Sequence, residues 1–128
     1  MSNAIETVTA FLDQCAQGKA EMHDAFRSYF TPATVYENVG FSKTTGLEEA
    51  MAVINSFEDT IGASAFRAEM LSIACDGNRV LTERIDHLLD AQGKTMRSLQ
   101  LMGIFEVADG KIVAWRDYFD TAGFASGS

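Results

Sequence analysis

Thr82-Glu83-Arg84-Ile85-Asp86 decides how the rest of this chain is read. Side chains alternate between the two faces of a strand, so Thr82, Arg84 and Asp86 project from the same face. Val80 and Leu88 continue that face at either end, which predicts an ion pair set into an apolar wall. Desolvation disfavours both charges, and each persists there only if paired and hydrogen-bonded. A pair in such surroundings more often marks chemistry than stability. The plain alternative is a salt bridge at a sheet rim.

On either side of this stretch the pattern is that of strands. Residues 65–75, 79–89, 94–107 and 111–119 read as four successive strands, and Asp76-Gly77, Gln92-Gly93 and Asp109-Gly110 sit where hairpin turns require positive φ. The first 62 residues are mainly helical. Asn3 and Glu6 form a capping-box pattern, followed by Ile5, Val8, Phe11, Leu12 and Cys15 at helical spacing as far as Gly18. A second, short helix carries Met22, Phe26 and Phe30 inward and ends before Pro32. Residues 34–39 read as a strand with Thr34, Tyr36 and Asn38 on one face, and residues 40–44 as a loop. Thr45 and Glu48 repeat the capping-box pattern before a third helix with the stripe Leu47, Ala50, Met51, Ile54 and Phe57. Helices first and a meander of long strands after them is an α+β plan, with helices covering one face of a strongly curved, mostly antiparallel sheet.

Composition sets the outer bounds. The chain has 128 residues, 47% of them hydrophobic and 22% charged, with a single proline, which predicts one folded domain over residues 1–128. A formal charge of −8 argues against nucleic acid or an anionic membrane as partner, because both require basic patches. No apolar run approaches the ~20 residues of a membrane span. The segment Met1-Ser2-Asn3-Ala4-Ile5-Glu6 lacks a basic region leading into an apolar core, and Cys15 and Cys75 are too few for a disulfide framework. The expectation is a cytoplasmic protein with reduced thiols. The small, polar end of the tail 121–128 is expected to fray.

Three strands each carry a polar pair at spacing two: Tyr36 with Asn38, Arg84 with Asp86, and Trp115 with Asp117. Val113 and Phe119 are expected to extend the face of the third pair. If all three pairs face the hollow of the curved sheet, an apolar small-molecule pocket holds two carboxylates, one guanidinium, one phenol and one carboxamide. Two carboxylates on one arginine can be driven to different protonation states, so that one donates a proton and the other accepts one. An aspartate near ~3.9 must rise by roughly three units to act as an acid at neutral pH, which a buried like-charge neighbour can supply. Tyr36 and Asn38 would orient a water against the base.

At Tyr36-Glu37-Asn38, Thr82-Glu83-Arg84-Ile85-Asp86 and Trp115-Arg116-Asp117-Tyr118-Phe119-Asp120 the chain closely resembles the limonene-1,2-epoxide hydrolases. The resemblance implies the cone-shaped fold shared with nuclear transport factor 2, ketosteroid isomerase and SnoaL-like proteins. It also implies one-step addition of water to an epoxide, without cofactor, metal or covalent intermediate. By motif position Asp117 resembles the general base, Asp86 the acid that protonates the epoxide oxygen, and Arg84 the bridge between them, with Tyr36 and Asn38 holding the water. A homodimer packed through the outer sheet face is implied as well, which suits Leu81, Ile85 and Leu89. Trp115, Val80, Leu88 and Phe119 are the expected substrate-contacting walls, Trp115 as packing surface.

The remaining candidates carry less. His23 lies in a short helix and His87 on the outward face of its strand, so joint metal ligation is not expected. Glu83 and Asp120 fall outside the inward phase and are read as solvated charges. The methionines read as adaptable core or pocket filler. Two rival functions keep the same fold: an isomerase or polyketide cyclase using one aspartate and an oxyanion donor, for which the second aspartate is surplus, and a non-catalytic small-molecule binding module.

Overall fold

The computed structural model describes residues 3–122. Helices α1 (Ala4–Cys15), α2 (Lys19–Tyr29) and α3 (Leu47–Ile61) pack on a six-stranded sheet. Its strands are β1 (Phe30–Asn38), β2 (Ser42–Thr45), β3 (Ala65–Asp76), β4 (Arg79–Leu89), β5 (Thr95–Ala108) and β6 (Lys111–Phe119), in the spatial order β2-β1-β6-β5-β4-β3. β1 and β6 run parallel, and the other neighbouring pairs are antiparallel. Register shifts interrupt four of the ladders. Such bulges add twist and bend the strands, giving the sheet a hollow face. None of the described helices is long and apolar enough to cross a membrane.

The α+β plan expected from the sequence is present, and the local details explain where it differs. Asn3 caps α1 as expected, its Oδ1 accepting the Glu6 N–H at 2.8 Å. The second capping box does not form. Thr45 is the last residue of β2, paired with Val35, and Gly46 holds the N-cap position with φ 88°. Thr45 instead donates its own N–H to Glu49 Oε1 at 3.0 Å. A Cβ at Gly46 would lie 3.0 Å from the Pro32 carbonyl oxygen, so both the dihedral and the close approach demand glycine.

β2 takes up residues 42–44 of the expected loop together with Thr45, expected as a helix cap; Ser42-Lys43-Thr44-Thr45 has no apolar alternation, and an edge strand facing solvent needs none. Phe30 is buried as expected but opens β1 rather than closing α2. Pro32 falls in the irregular stretch between Phe30 and Val35, where its missing N–H interrupts no regular ladder. At the β3–β4 turn only Gly77 takes positive φ, Asp76 remaining in the strand, whereas both Asp109 (52°) and Gly110 (74°) do so between β5 and β6. The part of the expected tail from residue 123 onward lies outside the described residues.

The core is organised by one rung of the sheet. Tyr36, Trp115, Phe105 and Val80 are successive partners across β1, β6, β5 and β4. Trp115 stacks on Tyr36 at 4.6 Å and on Phe105 at 4.9 Å, and Phe11 of α1 meets its edge. This aromatic layer corrects two expectations. Val80 lies beside Phe105 in this rung and is sealed in the core, so it does not line the cavity. Val113 is the extra residue of the β5–β6 bulge, because Val107 faces Ile112 and Glu106 faces Ala114; Ile112 is the fully buried residue there.

Candidate active site

The next rung carries the polar groups. Asn38, Asp117, Gly103 and Thr82 are successive partners on β1, β6, β5 and β4. Arg84 and Asp86 follow Thr82 along β4 on the same, buried face, as period-two alternation requires. The Arg84 guanidinium is wholly buried and binds Asp86 with two parallel bonds, Nε to Oδ1 at 3.0 Å and Nη2 to Oδ2 at 2.9 Å. The same Nη2 donates to Asp117 Oδ2 at 2.9 Å, and Nη1 donates to Thr82 Oγ1 at 2.9 Å. Thr82 Oγ1 in turn donates to the Gly103 carbonyl at 2.9 Å. One arginine therefore joins two carboxylates that are themselves 6% and 3% exposed.

The second oxygen of Asp117 is also engaged: Trp115 Nε1 donates to Oδ1 at 2.8 Å. Trp115 was expected only as a wall. It is that, and also a hydrogen-bond donor to the carboxylate two residues on, which its indole N–H could have signalled. Asn38 donates to Ser42 Oγ at 3.2 Å and sits beside Asp117 in the ladder. Every buried side-chain nitrogen and oxygen among the described residues has a partner.

Above the pair opens a small cavity with largely apolar walls. Asp86, Asp117, Tyr36 and Asn38 reach it, as do Leu88, Trp115 and Phe119. Arg84 does not: it lies behind the two aspartates. The remaining wall includes Met22 and Phe26 of α2 and Ile54 and Phe57 of α3, which helical periodicity turns inward, and Phe66, Leu99 and Leu101 of the sheet, for which no role was expected. Helical periodicity shows which residues turn inward, but not which of them border empty space.

The electrostatics follow from burial. Desolvation pushes the Asp117 carboxyl up to about 6, against the attraction of Arg84 and helped by the charge of Asp86. The raised group is thus the aspartate expected to act as base. Burial opposes the charge on Arg84, but Asp117 and Asp86 together outweigh it and hold the guanidinium protonated well above its ordinary range. Burial, then the Asp117 charge, raises the Tyr36 phenol, so it stays neutral and can donate. His87 lies on the outer face, bonded to Ser98 and Glu69. Among the described residues no three His, Cys, Asp or Glu side chains are grouped to hold a metal.

Residues 2–127 match the family described as the limonene-1,2-epoxide hydrolase catalytic domain. The chain belongs to this family. It is 41% identical over 86 residues to epoxide hydrolase EphG of Mycobacterium tuberculosis, an alignment covering 67% of this chain. The match spans about half the length of that relative, 54%. The solved structure of an M. tuberculosis epoxide hydrolase of the same type superposes with TM-score 0.72 at 34% identity, covering 97% of this chain and 87% of that one. A SnoaL-like polyketide cyclase described as putative, from Jannaschia sp., matches with TM-score 0.73 at 19% identity over 97% of this chain and 90% of its own, which shows the shared fold. Family membership and the cone-shaped fold expected from the three motifs are both established by these matches.

Proposed function

We propose that this limonene-1,2-epoxide hydrolase family member adds water to a small apolar epoxide, giving a vicinal diol in one acid–base step. The observation that carries the proposal is Asp86 and Asp117 held on one buried guanidinium at the floor of an apolar cavity. Charge explains why such a group suits the reaction. With one proton on the pair, Arg84 and the two carboxyls sum to zero, the form an apolar site favours. That form contains one acid and one base at once.

Water lies against Asp117, oriented by Tyr36 and Asn38 from the neighbouring strand. Its oxygen attacks one ring carbon as Asp117 takes its proton, while Asp86 protonates the oxygen of the breaking C–O bond. A water that donates to Asp117 favours its ionised form and leaves the shared proton to Asp86. Acid and base each supply roughly 10²–10⁴-fold. The wall residues offer shape and little hydrogen bonding, which favours uncharged hydrocarbon epoxides such as limonene-1,2-epoxide over polar ones. The chemistry is completed by side chains alone, without cofactor or metal.

The test is diol formation from racemic limonene oxide, styrene oxide and a cyclic meso-epoxide, with a ketosteroid as the substrate of the rival isomerase. Asp117→Asn and Asp86→Asn should each remove diol formation while leaving the fold intact. Near wild-type turnover in either variant, or no turnover of any epoxide by the parent protein, would overturn the proposal. The raised Asp117 carboxyl favours one second arrangement, with Asp117 as acid and Asp86 as base. Azide separates the two because it opens an epoxide without needing a base. It should restore ring opening to Asp117→Asn and not to Asp86→Asn; the reverse would exchange the roles.

We propose a second copy of the chain as partner on the outer sheet face. Leu71, Leu81, Met102 and Tyr118 are all exposed on β3 to β6 there, an unusual density of large apolar groups for a free surface. Leu89, expected to join them, is buried instead, at the end of β4 where Met96 of β5 is left unpaired by a register shift.

A further inference from the structure

We infer that Gly103 is a positioning residue of the acid–base site: its missing side chain is the opening through which Arg84 reaches Asp117. The inference rests on the reading of the two aspartates as acid and base. Arg84 and Asp117 lie on β4 and β6, and β5 runs between them. Side chains on a central strand normally fill the space between those of its neighbours, so two residues one strand apart on either side do not meet. Here they do, at 2.9 Å.

The partner of both Asp117 and Thr82 on the intervening strand is Gly103. A Cβ built there would overlap Asp117 Oδ1 and stand 2.8 Å from Arg84 Nη1 and 3.3 Å from the Arg116 carbonyl oxygen. These neighbours have little freedom to give way. Asp117 Oδ1 is fixed by the Trp115 indole, Arg84 Nη1 by Thr82, and the Arg116 oxygen is main chain. The Gly103 backbone is ordinary strand without positive φ, so glycine serves here for its volume and not for its dihedral freedom. Its carbonyl also receives the Thr82 hydroxyl that in turn accepts from Arg84. Gly103 thus holds the guanidinium from one side and leaves it room on the other.

Gly103→Ala tests this, with Val107→Ala as control. Val107 is buried on the same strand and far enough along it to miss both carboxylates, so it reports the effect of destabilising β5 alone. Gly103→Ala should keep the far-UV circular dichroism of the parent and lower kcat for the best epoxide by at least about 100-fold, as expected for a misplacement of about 1 Å at a reacting group. KM should change little. Pushed off the guanidinium, the Asp117 carboxyl should titrate at higher pH, read by NMR on aspartate labelled at the carboxyl carbon. That titration needs no turnover, so it decides the inference even if the parent hydrolyses no epoxide, in which case the proposed reaction alone fails. An unmoved titration in folded Gly103→Ala, kcat within threefold of the parent, or equal losses in Val107→Ala would each overturn the inference. Should Gly103→Ala not fold while Val107→Ala does, Gly103→Ala with Asp117→Ala, which removes the carboxylate oxygens from the path of the new Cβ, is the second variant. Recovery of the folded state there supports the carboxylate as the obstacle, and failure to recover refutes it.

Discussion

Arg84 and Asp117 sit on strands that are not neighbours, yet the guanidinium Nη2 of one lies 2.9 Å from a carboxylate oxygen of the other. The same nitrogen binds Asp86, so one guanidinium lies between two buried carboxyls. Arg84→Met should therefore leave two carboxyls without their countercharge, a loss of about 3–5 kcal/mol. Urea denaturation at pH 8 checks this. Part of the loss should return at pH 5, where a protonated carboxyl no longer needs the missing charge, and a loss independent of pH would contradict the arrangement.

The raised Asp117 carboxyl has a definite sign. A carboxyl that titrates at about 6 in the folded chain and at 3.8 when exposed binds its proton more tightly when folded. Its contribution is fully present below pH 3.8 and is lost as pH rises through about 6, a change of up to about 3 kcal/mol. Asp117→Asn should abolish that slope, so its stability relative to the parent should grow between pH 4 and pH 7. A constant difference across this range would show that Asp117 titrates normally.

Catalysis should follow the same group. If the active form carries one proton on the pair, kcat/KM should fall above about pH 6, where the free protein loses it. A bound apolar epoxide displaces water and disfavours the doubly ionised pair, so the corresponding fall in kcat should lie at higher pH. Both limbs are read from initial rates in buffers of constant ionic strength.

Trp115→Phe retains an aromatic wall and deletes one hydrogen bond, that from Nε1 to Asp117 Oδ1. A bond to a charged acceptor is worth about 1.5–3 kcal/mol, so kcat should drop by roughly 10–100-fold. The alkaline fall in kcat/KM should move upward, because the ionised carboxylate has lost a donor. A change in KM alone would assign Trp115 only to the wall.

The outer face is tested by charge. Replacing exposed Leu81 and Met102 together by glutamate should convert a dimer to monomers in analytical ultracentrifugation while the circular dichroism stays unchanged. A parent protein that sediments as a monomer would remove this partner.

Much of the fold was legible because its signals are local. Gly77 and the pair Asp109-Gly110 mark turns by backbone sterics, and alternation along β4 places Thr82, Arg84 and Asp86 on one face whatever surrounds them. β2 was missed because its four residues carry no alternation to read. Val80 and Val113 were misassigned for another reason. The inward phase of a strand is local, but whether an inward residue meets cavity or core depends on neighbouring strands and on bulges. An isolated glycine inside a strand pattern is itself a signal of close approach, and Gly103 could have been singled out on that ground, though not the groups that approach it.

By itself the sequence determined the helix-then-strand order, the face on which each polar pair projects, and the three motifs of the family. Period-two alternation and turn sterics act over a few residues and need no partner. Only the tertiary structure decided that β1 lies beside β6, that Asn38 therefore stands next to Asp117, and that one arginine spans β5 to hold both aspartates. Strand order and bulges join residues tens of positions apart, and those contacts govern what is buried, what remains empty, and which carboxyl keeps its proton.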